Sequence, residues 1–187
     1  MGYVEPTRPR KLTLAQFDAL PDDGERHELL DGWLLVTPSP REIHQRAAYQ
    51  LAMRLPPACP EDLEVFFAPF DYRPNDQTVL QPDLMVFRCE DVEPDGVRRP
   101  LLLAVEVLSP SNRSTDLVTK RYAYEKAGVE SYWIFEPEEG VLTVLELEDG
   151  RYVERTFKDD EVFEAERPFP LRIVPAELGR RVNRSAT

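Results

Sequence analysis

Three residues have types and spacing that could do chemistry together: Asp83, Glu106 and Lys120. Glu106 lies in the longest apolar run of the chain. Leu101, Leu102, Leu103, Ala104 and Val105 precede it, and Val107 and Leu108 follow. A run rich in branched aliphatics and closed by the turn cluster Ser109-Pro-Ser-Asn112 reads as a strand buried on both faces. A carboxylate there is costly unless it is paired, protonated or bound to a cation. Asp83 ends the tripeptide Gln81-Pro82-Asp83, in a second strand-like segment from Thr78 to Phe87. Alternation sets Asp83 on one face with Met85 and Phe87, and Glu106 on one face with Ala104 and Leu108. If the two strands are neighbours in register, both carboxylates point into one pocket. Two hard carboxylates suit Mg2+ or Mn2+, with water and a substrate phosphate completing the octahedron. Such an ion lowers the pKa of bound water and offsets charge at phosphorus. Lys120 lies on the helix that follows the Glu106 strand. From there its stem can reach back to orient the water or offset phosphate charge.

The elements that must position these residues can be read along the chain. Residues 1–11 form a loose polar arm. A short helix spans Leu12 to Leu20 with Thr13 as its cap. His27 to Val36 is a hairpin around Asp31-Gly32, and Glu42 to Leu55 is a helix that Ser39 could cap and that Pro56, Pro57 and Pro60 end. Strands follow at Leu63 to Tyr72 and Thr78 to Phe87, where Pro82 implies an edge or a bend. Residues 90–100 are a polar loop. After the Glu106 strand, a helix capped by Ser114 or Thr115 runs to Ala127 and ends at Gly128. Ser131 to Phe135 and Val141 to Leu147 are strands, and Asp149-Gly150 turns the latter into Tyr152 to Phe157. Tyr122, Tyr132 and Trp133 read as core packing. The expected class is α/β or α+β, with a single mixed β-sheet flanked by helices. One domain covers 12–175, and 176–187 is a tail with a short helix near Ala176 to Leu178.

Composition narrows the function. The chain has 187 residues, 42% hydrophobic and 31% charged, as in an ordinary globular protein of one domain. No apolar run approaches membrane-helix length and no signal-peptide pattern opens the sequence, so a membrane role is not expected. Cys59 and Cys89 lie outside any metal-ligand spacing and read as free thiols of a cytoplasmic protein. The net charge of −12 argues against a generally basic nucleic-acid surface, though not against a local basic cleft. No separate DNA-reading module, such as a helix-turn-helix or zinc finger, is evident.

Pro82-Asp83 followed by Glu106 resembles the PD-(D/E)XK nuclease superfamily. More narrowly, QPDLMVF with LAVEVLSPSNRSTDLVTKRYAYEKAGVESYWIFEP, after HELLDGWLLVTPSPREIHQ, resembles a bacterial family of restriction-endonuclease-like proteins. The likeness covers roughly residues 12–175. It implies a restriction-endonuclease-like fold and a magnesium- or manganese-dependent endonuclease acting on DNA, with Asp83 and Glu106 as metal ligands. The superfamily lysine, two residues after the acidic residue, is here Leu108. The narrower resemblance moves that role to Lys120.

The resemblance also nominates Glu28, as a third acidic ligand or a structural carboxylate, and His44, as a water or phosphate contact or a structural hydrogen bond. Gln45 is a weaker candidate, and Asp116 would orient Lys120. Arg41, Arg46, Arg113 and Arg121 are candidate phosphate contacts. Symmetrical cutting of a duplex would favour a homodimer. Two other readings stay open: a catalytically silent binding module on the same fold, and a hydrolase of a smaller phosphorylated substrate.

Overall fold

The computed structural model describes residues 11–37, 40–109 and 115–179, without the side chains of 115–117. Helix α1, Leu14–Asp18, starts at Thr13, whose hydroxyl accepts from the Gln16 amide while Gln16 returns a bond to the Thr13 amide. Strands β1, Arg26–Leu30, and β2, Trp33–Thr37, form the expected hairpin. Its turn places Asp31 and Gly32 at φ 50° and 84°, the geometry that Asp-Gly supplies most readily.

Helix α2 covers Glu42–Ala52 and starts at Arg41 with no side-chain cap; Ser39 lies outside the described residues. Pro56 and Pro57 do not simply end this helix. They open a further turn, α3, Leu55–Ala58, where a missing amide hydrogen costs nothing.

Strands β3, Leu63–Phe67, and β4, Tyr72–Asn75, replace the one long strand expected there. Likewise β5, Thr78–Leu80, and β6, Leu84–Arg88, are separate. The polar loop of 90–100 contains a tight hairpin of β7, Val92–Glu93, and β8, Gly96–Val97. Then come β9, Leu103–Val107, buried at all five positions, and a π-helical turn, Thr115–Lys120, that runs into α4, Arg121–Lys126. The rest is β10, Ser131–Glu136, β11, Val141–Glu148, β12, Arg151–Lys158, a small hairpin of β13, Phe163–Ala165, and β14, Leu171–Ile173, and α5, Pro175–Leu178.

The α+β class is as expected, but the single sheet is not. The strands divide into two six-stranded sheets, β2-β1-β5-β4-β8-β7 and β12-β11-β10-β9-β6-β3. The chain passes from one to the other at Gln81-Pro82-Asp83, where proline cannot donate to a ladder. Only β9 and β10 run parallel in the second sheet, joined through the turn and α4.

That sheet is covered on both faces. One face packs Val86, Val105 and Phe135 against Ala47 and Leu51 of α2, Phe163 of the small hairpin and Leu178 of α5. The other packs Met85, Ala104 and Ile134 against Tyr124 of α4 and Leu80 and Tyr72 of the first sheet. Leu178, assigned to the tail by sequence, is fully buried. Tyr132 and Trp133 are core residues, whereas Tyr122, expected beside them, is exposed on α4.

Gly96 fixes how the first sheet meets the site. Its φ is 138°, and a Cβ there would lie 2.5 Å from the Asp71 carbonyl oxygen. Asp71 in turn braces Gln81, whose amide nitrogen donates to it at 2.8 Å. Gly96→Ala is therefore expected to destabilise the fold by about 2 kcal/mol or more. A urea midpoint within experimental error of wild type would remove this constraint.

Candidate active site

Strands β6 and β9 are antiparallel neighbours with Leu84 opposite Val105 and Met85 opposite Ala104. The next step of that register brings Asp83 beside Glu106. Asp83 caps the ladder with its side chain: the Val107 amide donates to Asp83 Oδ2 at 2.8 Å. Both carboxylates are buried. Glu28 joins them from β1, also buried, and its Oε1 accepts from the Gln81 amide at 2.7 Å.

Lys120 reaches the site from the end of the π-helical turn. Its Nζ lies 2.9 Å from Glu106 Oε1 and 3.0 Å from both oxygens of Glu28. One turn on, Tyr124 donates its hydroxyl to the same Glu106 oxygen at 2.8 Å. Burial, then the Glu106 charge, push the Tyr124 hydroxyl well above its usual range, so it stays protonated and donates. Lys120 is the N-cap of α4 and Tyr124 lies four residues on, so ordinary helical spacing brings both to one buried face.

A second set of contacts surrounds Asp83. His44 is the first member of the buried stripe of α2 that continues with Ala47 and Leu51. Its Nε2 lies 3.0 Å from Asp83 Oδ2. Arg26 Nη1 donates to Asp83 Oδ1 at 3.1 Å, and Nη2 lies 3.9 Å from Glu28 and donates to the Gln81 carbonyl. Burial alone would raise the Asp83 carboxyl. The His44 hydrogen bond and charge, the Arg26 charge and the Val107 amide outweigh it, and the carboxyl falls below its ordinary value of 3.8. Burial likewise disfavours the Arg26 charge, but Glu28, Asp83 and Glu106 together push its pKa up.

All five residues singled out by sequence are thus in one place, in two linked sets: Lys120 with Glu28 and Glu106, and His44 with Asp83. Arg26 and Tyr124 complete them and were missed. Both were within reach of a spacing rule, since Arg26 is two positions before Glu28 on one strand face and Tyr124 four after Lys120 on one helix face. Leu108, in the superfamily lysine's position, is a buried core residue.

The nominated arginines point elsewhere. Arg41 pairs with Glu138, Arg46 with Glu42 and Arg121 with Glu154. Arg113 and the Asp116 side chain lie outside the described residues. Gln45 is exposed beside His44, in the wall of a cleft of about 620 Å³ that also borders Asp83 and Arg26.

The donor chemistry of Asp83 and Glu106 fits a hard divalent cation. Among the described residues no three His, Cys, Asp or Glu side chains are grouped to hold one. Glu28 is turned to Lys120, leaving a two-carboxylate arrangement in which water and phosphate would supply the other ligands.

Two sheets flanked by helices, with acidic residues at adjoining strand ends and a lysine against them, define a restriction-endonuclease-like protein. The chain belongs to the family Uma2, described as "Putative restriction endonuclease", whose model it matches over residues 14–177. No curated protein matches it. Its fold is shared with a solved structure from Anabaena variabilis ATCC 29413, described as a "putative nuclease belonging to DUF820". The TM-score is 0.73 at 19% identity, over 90% of this chain and 97% of the other.

Removing one member of a buried ion pair leaves an uncompensated charge. Lys120→Met is therefore expected to cost about 3–5 kcal/mol in urea unfolding at pH 7, and adding Glu28→Gln to recover part of it. A loss below about 1 kcal/mol, the range of an exposed pair, would contradict the buried geometry.

Proposed function

We propose that this protein is a divalent-metal-dependent endonuclease that hydrolyses phosphodiester bonds in DNA. One observation carries the reading: Asp83 and Glu106 stand side by side on neighbouring strand ends, with the Lys120 ammonium 2.9 Å from Glu106. Asp83 and Glu106 would hold Mg2+ or Mn2+. Bound there, the ion supplies an acidified water and offsets charge at phosphorus. Asp83, held ionised by His44, Arg26 and the Val107 amide, is in the form that binds a cation.

Lys120, held between Glu28 and Glu106, is placed to orient the attacking water or to neutralise a phosphate oxygen. Tyr124 keeps Glu106 from rotating away. Arg26 sits at the cleft side of the same cluster and can meet a phosphate there.

A twofold dimer would let two such sites address both strands of a duplex. Strand β2 fits that contact: it is the outer strand of its sheet and exposes Trp33, Leu34 and Val36. The free thiols Cys59 and Cys89 accord with a reducing cytoplasm. Among the described residues no helix is long and apolar enough to cross a membrane.

One observation favours the rival, a silent binding module. Arg26 and Lys120 already offset most of the charge on the three carboxylates without a metal. Calorimetric titration separates the two. Wild type is expected to bind Mn2+ or Mg2+ saturably, and Asp83→Asn with Glu106→Gln to abolish it. On plasmid DNA, Lys120→Gln, checked by circular dichroism to be folded, is expected to keep the metal and lose about 100-fold or more in cleavage. Equally poor metal binding by wild type and the double variant would leave only the binding module.

A further inference from the structure

We infer that the cleft beside Asp83 is a subsite for an unpaired nucleobase, so that the DNA acted on is single-stranded or locally opened next to the scissile phosphate. The inference rests on the nuclease reading above and specifies its substrate. The cleft, of about 620 Å³, is large enough for a base and its sugar. Away from Asp83 its lining is apolar: Ala48, Tyr49 and Ala52 from α2, and Phe67, Pro69 and Leu84 from the opposing strands and loop. Tyr49 and Phe67 are 51% and 47% exposed, so two aromatic side chains border the cleft half in water. Single exposed apolar residues are unremarkable. Two aromatics on different elements, flanking one cleft next to the charged cluster, form a stacking surface.

Electrostatics select the base over the phosphate. Asp22 and Glu25 also line the cleft and would repel an anion. What enters is the uncharged part of a nucleotide, leaving its phosphate near Arg26, the cation on the cleft wall. Polar groups suited to a base edge are present. Gln45 offers an exposed amide with donors and acceptor.

The overall charge points the same way. At a net −12, with Arg41, Arg46 and Arg121 each engaged by a carboxylate, the chain is poorly equipped to grip a duplex through its phosphates alone. Stacking supplies affinity without that charge and tolerates any base.

The test is fluorescence anisotropy with the full chain in EDTA, so that neither metal nor cleavage enters. The probes are a labelled 12-nucleotide single strand, its duplex, and the same strand carrying abasic sites. The single strand is expected to bind about tenfold or more tighter than the duplex or the abasic strand. Tyr49→Leu and Phe67→Leu are expected to weaken single-strand binding about tenfold each, while Tyr49→Phe retains it. Both positions are exposed, and matching melting temperatures would exclude misfolding. Duplex binding as tight as single-strand binding, or leucine variants that bind the single strand like wild type, would overturn the subsite.

Plasmid and single-strand cleavage with Mn2+, measured in parallel, keeps the two readings apart. Cleavage lost in Asp83→Asn, with binding unaffected by the leucine variants, sinks the subsite and leaves the nuclease. Stacking-dependent binding without cleavage keeps the subsite and sinks the nuclease.

Discussion

Three carboxylates, Glu28, Asp83 and Glu106, are carried into the interior where two sheets meet, and two cations must be brought to them. Burying an ionised carboxylate is costly unless it is paired and hydrogen-bonded. Most features of this structure serve that requirement. The Gln81-Pro82-Asp83 crossing places one carboxylate at a strand end with a backbone amide to accept from. Strand β1 delivers Arg26 and Glu28 to the same place. The π-helical turn delivers Lys120, and α4 delivers Tyr124 four residues on. The apolar faces of the central sheet exclude water from the other sides of the cluster.

A site built this way is close to charge balance before any metal arrives, and this shapes how it would work. A divalent cation would compete with ammonium and guanidinium groups already in contact with the carboxylates. Affinity for the ion alone would then be modest. A substrate phosphate, drawn to Arg26 and Lys120 as the ion draws Asp83 and Glu106, would help the ion to bind. Glu28 would hold Lys120 from the other side if Glu106 turned to another partner.

Much of the site was legible in the sequence, and the reasons are physical. A carboxylate inside an apolar run, as at Glu106, has few solutions, and the partner needed to resolve it had to come from nearby elements. The Asp-Gly turns at Asp31 and Asp149 fixed their hairpins because few residue pairs take that backbone so readily. Lys120 was within reach from its place on the following helix and its stem length, and the family resemblance pointed to it as well; Glu28 and His44 came from that resemblance. What escaped notice depended on how elements meet. Thr78 to Phe87 is two apolar runs around Gln81-Pro82-Asp83, and that pattern cannot tell one bent strand from two strands in different sheets. A proline reads equally as bend or edge. Tyr122 was expected in the core and is exposed, whereas Tyr124, two positions on, is the buried residue that meets Glu106. Arg26 was passed over because a single arginine opening a hairpin is usually on the surface, although its spacing from Glu28 sets both on one strand face.

The most direct measurement of the central claim is a crystal structure grown with Mn2+, read from its anomalous signal. The prediction is one manganese peak between the carboxylates of Asp83 and Glu106, with the Lys120 ammonium still against Glu28. An anomalous map with no peak there, and with Lys120 and Arg26 unmoved on the carboxylates at saturating Mn2+, would show that these cations are permanent structural partners. The acidic pair would then not be a metal site.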